Sequence, residues 1–411
     1  MQTDTRHTRF QLALPSSQGH RAADGSLASA RRGSFALAAL AALVLAACGS
    51  EAEPMTGAPL DGPAPAADES GAATDPGGSA GSGASVSPTA SGASDRAGTD
   101  PTHPSAPALS GDEPSATAED APFLPPEPVG CVTEVTAGEH VFNCEDLVHV
   151  VSVPAPCLEH ACGLVLDIHG GTMSANMEDN NTGARKFGAE RDFIVLQPNA
   201  VGGVWRPNLD DPKVFAFAQS VVQAFHVNEK RIHAMGFSQG GYMSWRFVCA
   251  HSDWLASAAP AAAAGPVALI MEVGCTFSGT DKPAQEIPLL YMHGTKDALV
   301  NFQNGVALRD AVRTEWGMDA EEDLASSAAH RWVRYTNERG NLFEFIQHDY
   351  STDSAVGIPP LGVAIVGHCY PGSGDLAASE PFQLMAFACK DDAAFTWGEA
   401  ALDFFVAHPK P

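Results

Sequence analysis

The sequence predicts an α/β fold, a mostly parallel central sheet with helices on both faces. Three observations predict it. From residue 147 onward, short apolar runs alternate with segments of helical spacing, the pattern of a parallel sheet joined by crossover helices. Several runs are apolar almost throughout, as strands buried on both faces are; Gly163-Leu164-Val165-Leu166-Asp167-Ile168 is the clearest. The third is Gly236-Phe237-Ser238-Gln239-Gly240-Gly241, which follows the apolar run Arg231–Met235 and precedes the amphipathic segment Tyr242–Val248. In a strand, G-x-S-x-G, helix arrangement, the flanking glycines let two backbones close on the tight turn that holds the serine.

The elements follow in order. Leu147–Val153 is rich in β-branched residues and stops at Pro154, so it reads as an early strand. Gly163–Ile168 is a buried strand, and Glu178–Glu190 reads as a helix. Phe193–Gln197 is a further buried strand, closed by Pro198. Asp211–Phe225 sets Val214, Phe217, Val221, Val222 and Phe225 at helical spacing and ends before Asn228. The serine strand and its helix come next. Pro288–His293 is another strand, and Asn304–Trp316 a helix. His330–Tyr350 holds two β-rich runs around Asn337-Glu338-Arg339-Gly340, a hairpin pattern. Gly362–Val366 reads as the last core strand and Ala394–Ala407 as the closing helix. There is no internal repeat.

Composition divides the chain into three parts. Residues 1–47 read as an export signal: Arg31 and Arg32 precede an apolar run, Phe35–Ala47, that is shorter than the about 20 residues a spanning helix needs. The run ends in Leu45-Ala46-Ala47-Cys48, which resembles a bacterial lipoprotein signal; that resemblance implies cleavage before Cys48 and lipid on its sulfur. The paired arginines leave general and twin-arginine export both open. Residues 48–129 are dominated by Ala, Gly, Ser, Pro and acidic side chains, with Arg96 the single Lys or Arg. Such a stretch cannot bury enough apolar surface to offset its ordering entropy and reads as a disordered tether. Residues 130–411 suffice for one large α/β domain. The net charge of −26 argues against nucleic acid as a partner and leaves the lipid as the only membrane contact. Besides Cys48, eight cysteines remain, an even number in an exported chain, and disulfides are the expectation. Sequence neighbours suggest Cys131–Cys144, Cys157–Cys162, Cys249–Cys275 and Cys369–Cys389. No C-x2-C pair or close His/Cys cluster points to zinc, and Glu178-Asp179-Asn180-Asn181 lacks the spacing of a calcium loop, so no metal and no cofactor are expected.

Chemistry is expected at the C-terminal ends of the strands. A serine hydroxyl is a poor nucleophile at neutral pH and needs a base, which in turn needs a carboxylate to hold its tautomer. Ser238 is the candidate nucleophile. Asp297 follows the Pro288–His293 strand in the turn Gly294-Thr295-Lys296-Asp297 and is the candidate acid; Asp281 precedes that strand, and Asp349 and Asp353 lie in or beyond the hairpin. His368, directly after the Gly362–Val366 run, is the candidate base among 15 histidines. A Cys369–Cys389 bridge would brace its loop. The oxyanion needs two converging N–H groups. Gln239 offers one at its helix start, and the loop His169-Gly170-Gly171-Thr172 the other, from Gly171 or else Thr172. Trp205 is a candidate pocket lining or a core tryptophan, and Thr172 a second candidate pocket residue.

The segments HGGTMSA, QPNA followed by Trp205, VNEKRIHAMGFSQGG, YMHGTKDALV and GHCYPG run through residues 160–375 in an order similar to that of the extracellular polyhydroxybutyrate depolymerase and feruloyl esterase group of α/β-hydrolases. The resemblance implies an α/β-hydrolase fold, with Ser238, Asp297 and His368 as the triad and Gly171 and Gln239 as oxyanion donors. That group usually has His-Gly-Cys where this chain has Gly171, and its polymer-degrading members often carry a separate substrate-binding domain. The resulting expectation is an exported, lipid-anchored serine esterase acting on hydroxyalkanoate oligomers or polyester. A feruloyl or acetyl esterase on plant polysaccharide esters, a peptidase or amidase on the same fold, and a non-catalytic binding lipoprotein are the alternatives.

Overall fold

The structure is a computed structural model and describes residues 123–265, 271–352, 357–358, 363–373, 387–390 and 392–411. The export signal, Cys48 and most of the tether lie outside the described residues, as does Asp353.

The strands are β1 (Gly138–Cys144), β2 (Leu147–Val153), β3 (Gly163–Ile168), β4 (Phe193–Asn199), β5 (Ile232–Phe237), β6 (Ser257–Ala261), β7 (Leu289–Gly294), β8 (Ala320–Ser326), β9 (His330–Thr336) and β10 (Leu342–His348). They form one sheet in the order β1-β2-β4-β3-β5-β6-β7-β10-β9-β8. The run from β4 to β10 is parallel throughout, and antiparallel pairs flank it on both sides. Every residue of β3, β5, β6 and β7 is buried, which is why these strands read as apolar runs.

The helices are α1 (Ala175–Thr182), α2 (Ala184–Ala189), α3 (Asp211–Ala224), α4 (Gln239–His251), α5 (Phe302–Trp316) and α6 (Trp397–Ala407). The apolar sides of α3, α4 and α5 bury one face of the sheet, with Phe217, Trp245 and Val312 in that core. The other face packs on α2 and α6 through Phe187, Trp397 and Phe405. Each face thus has its own dry layer, as the binary pattern requires.

Several expectations need correction. The Glu178–Glu190 helix is two helices, α1 and α2, because Gly183 adopts a left-handed conformation (φ 62°) between them and ends the first. The first begins earlier, at Ser174, whose hydroxyl caps Met177 N–H. Pro198 does not close β4: it sits inside the strand opposite His149. The largest correction concerns Gly362–Val366. Of its described residues, 363–366, only Val363–Ala364 form a strand, β12 of a separate two-stranded sheet with β11 (Gly357–Ile358), and the ten-stranded sheet does without it. Three strands carried no readable signal. β6 is Ser-Ala-Ala-Pro-Ala, β1 has a largely exposed pattern, and β8 (Ala-Glu-Glu-Asp-Leu-Ala-Ser) is exposed at every residue but Leu324, which is half-buried. The disulfides join Cys131–Cys144, Cys157–Cys162, Cys249–Cys275 and Cys369–Cys389, each the pairing of sequence neighbours.

Candidate active site

Ser238 stands between β5 and α4 with φ 54° and ψ −119°, a strained left-handed turn for a residue with a side chain. The glycines around it explain the motif. A Cβ on Gly240 would lie 1.8 Å from the Ile168 carbonyl oxygen of β3, and one on Gly236 would lie 2.6 Å from the Gly240 oxygen. Neither space admits a side chain, so strand, turn and helix close only with hydrogen at both positions. Ser238 N–H donates to the Ala261 oxygen at the end of β6, which pins the turn to the next strand. The Ser238 side chain is half-buried.

Asp297 and His368 meet behind the same edge. His368 Nδ1 lies 2.7 Å from Asp297 Oδ2, and both side chains are buried. A carboxylate only accepts, so Nδ1 carries the hydrogen and Nε2 is left as a bare acceptor. That Nε2 is buried with no hydrogen-bond partner, so it is not bonded to Ser238 Oγ in this structure. Contacts of this kind tighten when substrate fills a site. The His368 ring packs 4.6 Å from that of Phe237, the residue before Ser238. Two more glycines bring the loops together. A Cβ on Gly294 would lie 2.0 Å from the Gly367 oxygen, and one on Gly367 would lie 2.4 Å from the Lys296 carbonyl carbon. Gly367 N–H also donates to the Lys296 oxygen.

Asp297 is held as an anion. Its Oδ1 accepts from the N–H groups of Leu299 and Val300, each at 2.8 Å. Its Oδ2 faces His368 Nδ1 and, at 3.3 Å, His293 Nε2. Burial pushes the carboxyl up, but the charge of His368 and the hydrogen bonds from His293 and His368 outweigh it and hold Asp297 well below the usual carboxylate range. In the sequence His293 stands only as the last residue of the Pro288–His293 strand. Its Nδ1 meets the Tyr291 hydroxyl at 2.7 Å and its Nε2 the Val300 oxygen at 2.9 Å, which sets Nε2–H as the side facing Asp297.

The candidate oxyanion donors, Gly171 and Gln239, sit around Trp205. The N–H groups of Gly171 and Gln239 donate to nothing among the described residues. The two residues are neighbours, since a Cβ on Gly171 would lie 3.0 Å from Gln239 Oε1. The Thr172 N–H already donates to the Gly203 oxygen at 2.6 Å, so the alternative of Thr172 as second donor is set aside. Trp205 is buried, which makes it a brace for the site rather than an open pocket wall. Its indole N–H donates to the His169 oxygen at 2.8 Å, and its backbone N–H to Gln239 Oε1 at 3.2 Å. It therefore ties both candidate donor loops to one residue. His169 is itself locked: Nε2 accepts from Ala200 N–H, so Nδ1–H donates to the Gly170 oxygen. Burial lowers its pKa to about 4 and keeps it neutral.

Among the described residues, one His/Cys/Asp grouping, His160, Cys162 and Asp192, lies close enough to hold a metal, but the Cys162 sulfur is bonded to Cys157. Cavities of about 480 Å³ beside α5 and about 200 Å³ beside α4 are lined by neither Ser238, Asp297 nor His368, and no part in the chemistry is assigned to them.

The central parallel sheet, the helices on both faces and the serine turn between β5 and α4 define an α/β-hydrolase-like fold. Residues 216–347 match the protein family described as phospholipase/carboxylesterase. The protein named Probable feruloyl esterase C from Aspergillus clavatus is 27% identical over 268 residues, 62% of this chain and 90% of that one. The bifunctional acetylxylan esterase/xylanase XynS20E of Neocallimastix patriciarum is 20% identical over 172 residues; they make up 41% of this chain but span only 24% of that enzyme. A solved acetyl xylan esterase from Aspergillus awamori superposes with a TM-score of 0.40 at 13% identity, covering 54% of this chain and 90% of that one.

Proposed function

We propose that residues 130–411 form a serine ester hydrolase that works through an acyl-enzyme. The observation that carries this reading is Ser238 on its left-handed turn with the 2.7 Å Asp297–His368 pair at the same sheet edge. Ser238 Oγ attacks the ester carbonyl carbon as His368 Nε2 takes its proton. The N–H groups of Gln239 and Gly171 receive the oxyanion, each such donor being worth about 3–4 kcal/mol in barrier. The C–O bond breaks as Nε2 returns the proton to the leaving alcohol. Water then attacks the acyl-enzyme, gives its proton to Nε2, and the acid leaves with Ser238 restored. Asp297 keeps Nδ1 protonated and stabilises the imidazolium. A proton already on Nε2 blocks the first step, so activity falls on the acid side.

The curated relatives favour acyl esters of plant polysaccharides, feruloyl or acetyl, as substrate. The segment resemblance to polyhydroxybutyrate depolymerases points to hydroxyalkanoate esters instead. One panel separates them: short p-nitrophenyl acyl esters, methyl ferulate, acetylated xylan, hydroxybutyrate oligomers and polymer film. Peptide amides in the same panel test the peptidase reading. Ser238→Ala should abolish turnover and labelling by a fluorophosphonate probe; wild-type activity in that variant would overturn the scheme. Export is part of the proposal, supported by the four disulfides, which persist in oxidising compartments. So is the lipid on Cys48, which mass spectrometry of the mature N-terminus would test.

A further inference from the structure

A second pair of buried acids lies on the far side of the Ser238 turn, and the mechanism above does not use it. Asp167 is the penultimate residue of β3 and Glu178 lies in α1; both are fully buried. Asp167 Oδ2 accepts from Gln197 Nε2 at 2.7 Å and Thr182 Oγ1 at 3.1 Å. Glu178 Oε2 accepts from the Tyr370 hydroxyl at 2.6 Å. The Thr182 hydroxyl bridges the two residues, 3.1 Å from Asp167 Oδ2 and 3.1 Å from the Glu178 carbonyl oxygen. One oxygen on each, Asp167 Oδ1 and Glu178 Oε1, has no donor.

Two ionised carboxylates offer only acceptors, so they cannot satisfy one another, and burying both charges is costly. The charge around them makes this worse. Asp179 on α1 adds negative charge and is itself faced by Glu139 of β1, and Arg185 of α2 is a cation acting on Asp167. Arg185 is already shared among Gln197 Oε1, Glu139 and Asn176. A proton held between the carboxyls satisfies both orphan oxygens and removes one charge. Burial, reinforced by the like charges, points the same way: it pushes Asp167 up to about 7 and Glu178 well above the usual range.

The pair touches both halves of the site. Tyr370 is two residues beyond His368, and its ring stacks 4.1 Å from that of Phe237, the residue before Ser238. On the other side Asp167 is three residues before Gly170, on the strand that leads into the Gly170–Gly171 loop. We propose that Asp167 and Glu178 share a buried proton and form a strut between the Gly170–Gly171 loop and the His368 loop, so that Glu178 is a positioning residue for ester hydrolysis. The positioning role rests on the function proposed above; the shared proton does not.

The test uses the full chain and two readouts. Infrared spectra of the wild type at neutral and mildly alkaline pH should show the carbonyl stretch of a buried neutral carboxylic acid, and Glu178→Gln should remove it. A glutamine places an N–H where the proton was and still accepts from Tyr370, so E178Q should keep kcat within about threefold of wild type. Glu178→Leu and Tyr370→Phe break the strut and should lower kcat, on the order of 10- to 100-fold for a small misplacement, with KM little changed. Y370F loses one hydroxyl and nothing else, so it decides the matter if E178L does not fold. A wild-type spectrum without the band, E178Q as impaired as Y370F, or Y370F with unaltered kcat would each overturn the proposal. If the wild type cleaves no ester, the function falls, and the infrared arm still decides the proton.

Discussion

Two acid sites flank the Ser238 turn, both buried and opposite in their response to burial. Asp297 receives two backbone N–H groups and faces two imidazoles, and it stays ionised. Asp167 receives one amide and one hydroxyl, Glu178 a single hydroxyl, and both are driven toward the protonated form. Burial by itself would push all three upward. What separates them is the count and charge of the donors around each carboxyl. The ionised acid can stabilise a positive imidazole, whereas the protonated pair can only hold structure.

The sharpest way to break this contrast is to neutralise the ionised side. Asp297→Asn should lower kcat by on the order of 10⁴, because an amide no longer fixes the His368 tautomer. Steady-state kinetics with a p-nitrophenyl ester measures it. Neutralising the other side should affect stability instead. The raised pKa of Asp167 means its contribution is intact below the unfolded value near 4 and is lost as pH rises through about 7. Urea midpoints of the wild type should therefore fall from mildly acid to mildly alkaline pH, by on the order of a few kcal/mol in stability, and Asp167→Asn should flatten that decline. Equal slopes in the two proteins would refute it. Trp205→Phe leaves the His169 carbonyl without its indole donor and loosens the loop that carries Gly171, while the backbone N–H to Gln239 Oε1 is kept. It should cost about 1–3 kcal/mol of stability and lower kcat more than it raises KM, read by thermal melts and kinetics. The smallest effect is expected from His293→Phe. Removing that donor raises the depressed Asp297 pKa. Stability lost as pH falls is then lost at a less acid pH, so the acid-unfolding midpoint should move upward by less than about one pH unit.

The parts of this site that were legible in the sequence are those where chemistry restricts the choice of residue. Gly236 and Gly240 announce the Ser238 turn because backbone atoms fill the space of their missing side chains. Asp297 and His368 were found by their order after strands, although the strand assigned before His368 is two paired residues outside the main sheet. The protonated pair was not legible. Glu178 lies in Glu-Asp-Asn-Asn, which has the texture of an exposed helix start, and only packing against β3 and Tyr370 shows it to be buried. His293 and Trp205 were visible as residues but not as donors, because their partners come from other loops. β6 and β8 were missed for opposite reasons. The first is all small residues with full burial, and the second is polar with almost none.

A sheet of ten strands has two rims, and β8 is one of them. An unpaired rim invites a second copy to dock strand against strand. Here the rim presents Glu321, Glu322 and Asp323 to water, and its ladder breaks register between Asp323 and Ala325. Arg331 and Arg334 of β9 anchor those carboxylates from within. Two such rims brought together would set acid against acid along a kinked line, which opposes pairing of two copies strand against strand into fibres.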